Sequence, residues 1–384
     1  MKRKLLSALL ILTLCTSLLS GCGQAQNSSE ATSGEKSSTG GKTTFGIEPF
    51  KDTQTLRVGY FAGSALSIPF YIADKEGFFK ELNIEVDYQT FTNGPAMMEA
   101  NADWDIAGAG SAGVLVGQIG HDTPMLGIAD YEDNQGLFVR KDSKIAQDPT
   151  NPDNWKGTTW LYPVGTTAHF TLATQLEKLG LSMSDIKSVN MDVSSALNAF
   201  NGGQGDGLAV WNAFACNAED QGYVRISDAG KLGITNTSGL VSTREALKDK
   251  RELLTKTWAV FYKTVDWINA SEENKNKAIA YYKDSCDEEG IKVDESLAKR
   301  IMDYFKCPSF DKSIELMTKT VEDPKGLYTK RPLLQAENDL LVTMDFFVKQ
   351  GKYKAEDRVK LLDDGLIDPS IAKEAKALME SAAK

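Results

Sequence analysis

The chain has 384 residues, 53 acidic against 43 basic, for a formal charge of −10. That excess of carboxylates argues against nucleic acid or an anionic lipid surface as a partner. Two histidines and five cysteines leave little material for a metal cluster or a disulfide framework.

The chain opens on Lys2, Arg3 and Lys4, followed by an apolar run over residues 5–19 broken only by Ser7, Thr13, Cys15, Thr16 and Ser17. A positive start, a short apolar run and small residues at Ser20-Gly21 form the layout of a removable export signal. Leu19-Ser20-Gly21-Cys22 resembles the lipobox of bacterial lipoproteins, which implies a signal over 1–21 and lipidation of Cys22. Loss of the three basic residues takes the mature charge from −10 to −13. Residues 24–44 hold no aromatic and no branched aliphatic side chain, so they cannot bury enough surface to fold, and 22–52 reads as a flexible tether. Beyond the signal no apolar run approaches the roughly 20 residues needed to cross a bilayer. Cys216, Cys286 and Cys307 remain in the folded part; a Cys286–Cys307 disulfide and buried free thiols are both open.

Folding is expected to begin near Thr53. Strand-like runs occur over 56–60, 84–88, 105–108, 124–129, 137–139, 158–161, 188–191, 207–211 and 240–242. Amphipathic segments lie between them; over 168–179, Leu172, Leu176 and Leu179 share a stripe that Gly180 ends. The alternation predicts an α/β architecture. After Arg244 the period changes, with Trp258, Phe261, Val265 and Ile268 at helical spacing, so the last third is expected to be wholly helical and packed on the first lobe. A faint duplication accompanies this. Asn101-Ala102-Asp103-Trp104-Asp105 and Gly203-Gln204-Gly205-Asp206 each place an aspartate in a polar turn before a strand, as two lobes of like construction would.

Several segments, taken in order, point to a family: Leu56-Arg57-Val58-Gly59-Tyr60-Phe61, then Pro69-Phe70-Tyr71-Ile72-Ala73-Asp74-Lys75-Glu76-Gly77-Phe78-Phe79, Ile84-Glu85-Val86, Lys156-Gly157, Pro163-Val164-Gly165-Thr166-Thr167-Ala168-His169 and Gly205-Asp206-Gly207-Leu208-Ala209-Val210-Trp211. They resemble the solute-binding proteins of nitrate, sulfonate and taurine ABC importers. The resemblance implies a type II periplasmic-binding-protein-like fold: two α/β lobes joined by crossing strands, 53–140 and 240–384 forming lobe one and 141–239 lobe two. It implies a monomer outside the cytoplasm, held to the membrane by Cys22, that carries a small solute without a cofactor to a permease and its ATPase.

The residues support a pocket on their own account. In open α/β sheets ligands lie beyond the carboxyl ends of strands, where helix N-termini offer free N–H groups. Turns 60–67, 91–94, 108–113 and 164–169 fit that position. Ser64, Asn93, Ser111, Thr166 and Thr167 can each cap a helix or meet a ligand; Gly94 lies in the second of these turns, and Asn212 in the further turn 210–214. None of these turns, nor 129–135 and 210–214, contains lysine or arginine, so an anion there is met by N–H groups, hydroxyls and His169. A sulfonate, with one diffuse charge, suits such a site. Asp130, Glu132 and Asp133 follow a strand, and one of them facing the cleft, with Asp130 the candidate, pairs with an ammonium group if the ligand is a zwitterion such as taurine. Tyr60, Phe61 and Trp211 are the expected aromatic walls, Trp211 standing where the resembled family carries a cleft aromatic.

An enzyme is the rival class. The chain has no Gly-x-Ser-x-Gly elbow, no His-Glu-x-x-His and no Walker loop, and His121 and His169 are isolated. Within the binding class an aminopyrimidine, a flavin, nitrate or a quaternary amine are the alternatives. Flavin needs a larger aromatic slot, and nitrate leaves the three acids without a role.

Overall fold

The structure, a computed structural model, describes residues 43–61, 63–234 and 236–382; the expected signal, Cys22 and the tether up to residue 42 lie outside them. Ten strands build two sheets. The chain lays down β1 (Gln54–Phe61), β2 (Ile84–Phe91), β3 (Ile106–Ala109), β4 (Met125–Glu132), β5 (Gly136–Val139), β6 (Thr159–Tyr162), β7 (Lys187–Asn190), β8 (Gly207–Val210), β9 (Val224–Asp228) and β10 (Asn236–Ser242). The first sheet runs β2-β1-β3-β10-β4 and the second β7-β6-β8-β5-β9.

The two orders repeat one plan. Three parallel strands, β2-β1-β3 or β7-β6-β8, are followed by an inner strand antiparallel to both its neighbours, β10 or β5, which comes from the far side of a crossing, and then by an outer one, β4 or β9. The duplicated turn explains part of the match. Asp105 accepts the Arg57 N–H at 3.0 Å before β3, and Asp206 accepts the Thr159 N–H at 2.7 Å before β8, so each aspartate fixes the start of a parallel pair. The chain leaves the first sheet through residues 133–135 and the second through 229–234. Strand β5 differs from the expected division at residue 140: Leu137 and Phe138 pair with β8 and β9 in the second sheet.

The tail forms as its apolar spacing dictates. Helix Arg251–Ala270 buries Trp258, Phe261, Val265 and Ile268, and burial of Phe261 alone is worth about 2 kcal/mol. Trp258 Nε1 donates to Leu126 O at 2.9 Å and the Tyr262 hydroxyl to Ile128 O at 2.7 Å. Both cross Gly127 of β4, where a Cβ would collide with the Tyr262 hydroxyl. The tail is not wholly helical, because Thr320–Val321 and Leu333–Leu334 pair as two short strands.

Nor does the tail stop at the first sheet. Helix Glu295–Tyr304 lies on helix Asn212–Asp220 of the second, where Arg300 pairs with Asp220 at 2.8 Å and also with Glu219. Ala213 and Cys216 of that helix share an apolar cluster with Ala65, Tyr71, Tyr282 and Ile301. On helix Gln335–Lys349, Phe346 packs 4.1 Å from Phe170, and Lys349 meets Glu177 at 2.8 Å. An amphipathic helix announces an apolar stripe but not which surface will cover it. Cys216, Cys286 and Cys307 are free thiols, and burial pushes Cys286 up to about 11.

Candidate ligand-binding site

Between the carboxyl ends of the two sheets lies a pocket of about 320 Å³, its open mouth included. Phe61 ends β1, Gly94 opens helix Gly94–Glu99, Gly110 and Gly113 open helix Ser111–His121, Thr166 and Thr167 open helix Thr167–Lys178, and Trp211 precedes helix Asn212–Asp220. Pro95 and Glu132 complete the lining. Close approach is allowed by two glycines: a Cβ on Gly113 would sit 3.1 Å from the Gly94 Cα, and one on Gly110 would sit 3.3 Å from Thr167 and 3.5 Å from Glu132 Oε2.

Three of the helix starts are uncapped. Gly110, Thr166 and Trp211 occupy the N-cap positions of helices of 11, 12 and 9 residues, and no side chain accepts from their first-turn N–H groups. Elsewhere in the chain, Ser143, Asp192, Thr243, Ser271, Asp294 and Ser309 do cap their helices. Thr166 could have done so, yet its hydroxyl donates to Pro163 O at 2.7 Å. Free first-turn N–H groups with the positive ends of three dipoles make the pocket receptive to an anion. The Trp211 indole N–H is buried without a partner among the described residues. Asn212 beside it holds φ +44°, a conformation rarely adopted by a residue with a side chain, and its amide accepts from Asn134 at 2.8 Å.

Glu132 supplies the opposite charge. Its side chain is buried and accepts from the Ser238 hydroxyl at 2.5 Å. Burial pushes its carboxyl up to about 7, the Ser238 hydrogen bond opposing and Asp133 adding to the shift. Burial and the Glu132 charge raise Asp130 as well, so the two carboxyls titrate as a pair above the ordinary carboxylate range. Protonated, Glu132 can donate to an anion oxygen; ionised, it can accept from an ammonium group. The lining holds no lysine or arginine.

Of the expected site residues, Phe61, Gly94, Thr166, Thr167 and Trp211 line this pocket and the others do not. Asn93 caps its helix by accepting from Ala96 N at 3.0 Å. Ser111 is buried against Thr343, whose hydroxyl donates to it at 3.0 Å. Asp130 accepts the Lys306 N–H at 2.6 Å and is turned to the tail, while Asp133 pairs with the Lys306 ammonium. His169 packs between Tyr162 and Phe347, its Nδ1 accepting from Gly165 N at 3.2 Å. Burial, with Lys352 adding to it, lowers its pKa to about 4, so it is neutral and occupied within its own turn. Tyr60 and Ser64 line a separate recess, because Tyr60 and Phe61 are neighbours on β1 and point to opposite faces. Pro95, Gly110, Gly113 and Glu132 were not singled out as site residues, although both glycines lay in the turn 108–113 and Glu132 stood among the three acids.

YtlA of Bacillus subtilis (strain 168), which carries the name of a candidate binding protein, is 24% identical over 297 residues, covering 73% of this chain and 87% of its own length. The crystal structure of the periplasmic aliphatic sulphonate binding protein SsuA from Escherichia coli superposes with a TM-score of 0.60 at 19% identity, over 80% of this chain and 96% of that one. The alkanesulfonate-binding protein SsuA from Xanthomonas axonopodis pv. citri, bound to MOPS, gives 0.60 and 19%, over 79% and 95%. The fold is that of periplasmic binding proteins. A family profile described as NMT1/THI5 like matches residues 64–274, more than half of the 384 residues, and the chain belongs to that family.

Proposed function

We propose that the protein is the solute-binding component of an ABC importer, held outside the cytoplasm by a lipid on Cys22, and that it captures a small sulfonate or a taurine-like zwitterion. The observation that carries this reading is the convergence of three uncapped helix N-termini and a partnerless indole N–H on one pocket free of lysine and arginine. Such a set meets one diffuse negative charge well and a multiply charged anion poorly. The chain works as a monomer, and the receiving partner is a membrane permease with its ATPase.

Capture is by closure of two lobes. Phe61, Gly94, Gly110 and Glu132 come from the first sheet's side, and Thr166, Thr167 and Trp211 from the second's, so a ligand touching both stabilises the closed form. Opening has to part Phe170 from Phe346 and break the pairs at Arg300 and Lys349. Exposed ion pairs are worth about 0–1 kcal/mol each, so they do not prevent it.

Calorimetry with taurine, ethanesulfonate, nitrate and an aminopyrimidine tests the solute. Heat with taurine or ethanesulfonate and none with the other two is expected; no heat with any of the four overturns the solute class. Turnover of any of them to a product would overturn the binding role itself.

Glu132 then sorts the two sulfonates by pH. As pH rises through about 7 the carboxyl ionises, which repels a simple sulfonate and attracts the ammonium of taurine. Ethanesulfonate is expected to bind up to about tenfold more weakly at pH 8 than at pH 6, and taurine more tightly, since one pH unit of coupled protonation corresponds to about 1.4 kcal/mol. Glu132→Gln should flatten both profiles; opposite slopes that persist in the variant would place the titrating group elsewhere.

A further inference from the structure

Behind the cleft, on the other face of β1, lies a small recess, about 350 Å³ only when the open solvent at its mouth is counted, lined by Tyr60, Tyr71 and Tyr88, with Ser64, Ser67 and Glu289 at its wall. The rings stand at angles around it: Tyr60 and Tyr88 meet at 5.7 Å and 82°, Tyr71 and Tyr88 at 6.2 Å and 51°. Two of the hydroxyls are engaged with carboxylates, Tyr60 donating to Glu289 and Tyr71 to Glu288 at 2.7 Å. Burial first, and these glutamates second, push both phenols up, so both keep their protons.

Two polar atoms in the recess have no partner among the described residues. They are the Tyr88 hydroxyl and the hydroxyl of Ser67, a residue only 5% exposed. No lysine or arginine lines the space. At its edge the ammonium of Lys75, one turn along the same helix, sits 4.7 Å over the Tyr71 ring and 3.2 Å from Glu288.

We propose that the recess is a second ligand site, distinct from the sulfonate pocket, that takes a compact organic ammonium group. Three aromatic faces with carboxylates behind them form a cage for positive charge. The two unpartnered hydroxyl oxygens accept N–H donors that a methylammonium carries and a tetramethylammonium lacks. The recess and the pocket share no lining residue. Gly63 at the recess wall lies in the left-handed region at φ +71°, and a Cβ there would sit 2.9 Å from Ile291 and 3.3 Å from Phe214.

Titration of the protein with methylammonium chloride, against sodium chloride at equal ionic strength and tert-butanol as a neutral analogue, tests the proposal. One saturable site is expected, with a dissociation constant on the order of millimolar, the ceiling for so few heavy atoms. Glu289→Gln is expected to weaken it tenfold or more, and Trp211→Ala in the sulfonate pocket to leave it unchanged. Tyr88→Phe deletes only an unpartnered hydroxyl and keeps the ring, so it serves should Glu289→Gln fail to fold. It should weaken methylammonium and spare tetramethylammonium. Absence of saturation, equal binding of tert-butanol, loss in Trp211→Ala, or no response to Glu289→Gln and Tyr88→Phe each overturns it. Because none of these readouts uses a sulfonate, they stand whether or not the sulfonate assignment does.

Discussion

Trp211→Ala is expected to weaken sulfonate binding roughly 100-fold, with Thr166→Ala costing much less. Trp211 contributes three things at one point. Its ring forms the wall facing Phe61, the centroids 6.3 Å apart at 80°; its indole N–H has no partner among the described residues; and its backbone starts helix Asn212–Asp220. A charge-assisted hydrogen bond is worth about 1.5–3 kcal/mol, and buried aromatic anchors commonly cost 2 kcal/mol or more on truncation. The two figures describe one truncation and overlap, so about 3 kcal/mol for the whole side chain gives the 100-fold figure, at 1.4 kcal/mol per decade. The Thr166 hydroxyl, by contrast, is already engaged with Pro163 O, and alanine leaves the backbone N–H groups in place. Calorimetry on both variants decides the matter. Unchanged affinity in both moves the site away from this pocket, and a larger loss for Thr166→Ala would assign the anion to the Thr166 hydroxyl.

Why five of the twelve expected pocket residues fall in the lining, and others do not, follows from what one sequence encodes locally. Strand ends and helix starts are local, so the turns carrying Phe61, Gly94, Thr166 and Trp211 could be read directly. Facing is harder. Tyr60 and Phe61 sit at the same strand end, but the alternation of a strand sends one into the pocket and the other into the tyrosine recess. Asp130 and Glu132 share a face of β4, and what separates them is Lys306, 176 residues away, whose N–H takes Asp130 and leaves Glu132 to the pocket. No local pattern reports a contact of that range.

The same division holds for the fold. The nine predicted strands all appear, with shifted ends, since each is a short apolar run between turn residues. Strand β9, Val224–Asp228, was missed because it is a sheet edge of half-buried residues, with Arg225 and Ser227 diluting the apolar signal. The tail's second contact, with helix Asn212–Asp220, was invisible for the reason that hid Lys306. The duplicated aspartates, by contrast, were legible and carry the plan of both sheets.

Those two aspartates are expected to differ sharply when removed. Asp105 is buried to 1% exposure and binds four donors: Arg57 N at 3.0 Å, Arg57 Nε at 3.2 Å, Arg57 Nη2 at 2.6 Å and Lys250 Nζ at 2.7 Å. Asp206 is exposed and holds the Thr159 N–H. Breaking a buried pair costs about 3–5 kcal/mol, and Asp105→Ala should fall at the low end, near 3 kcal/mol, because Arg57 and Lys250 are each 36% exposed and regain water. Asp206→Ala should cost about 1 kcal/mol, one ordinary hydrogen bond. Burial alone would raise the Asp105 carboxyl, but the hydrogen bonds from Arg57 and Lys250 outweigh it and hold the group below its ordinary range. A depressed carboxylate stabilises the fold above its unfolded pKa, about 3.9, and that contribution is lost as pH falls further through the folded value. Parent and Asp105→Ala should therefore differ most in denaturation midpoint near neutral pH and converge in acid. Equal losses for the two aspartates at pH 7, or a gap that widens below pH 4, would show that the ion cluster is not what fixes the β1–β3 pair.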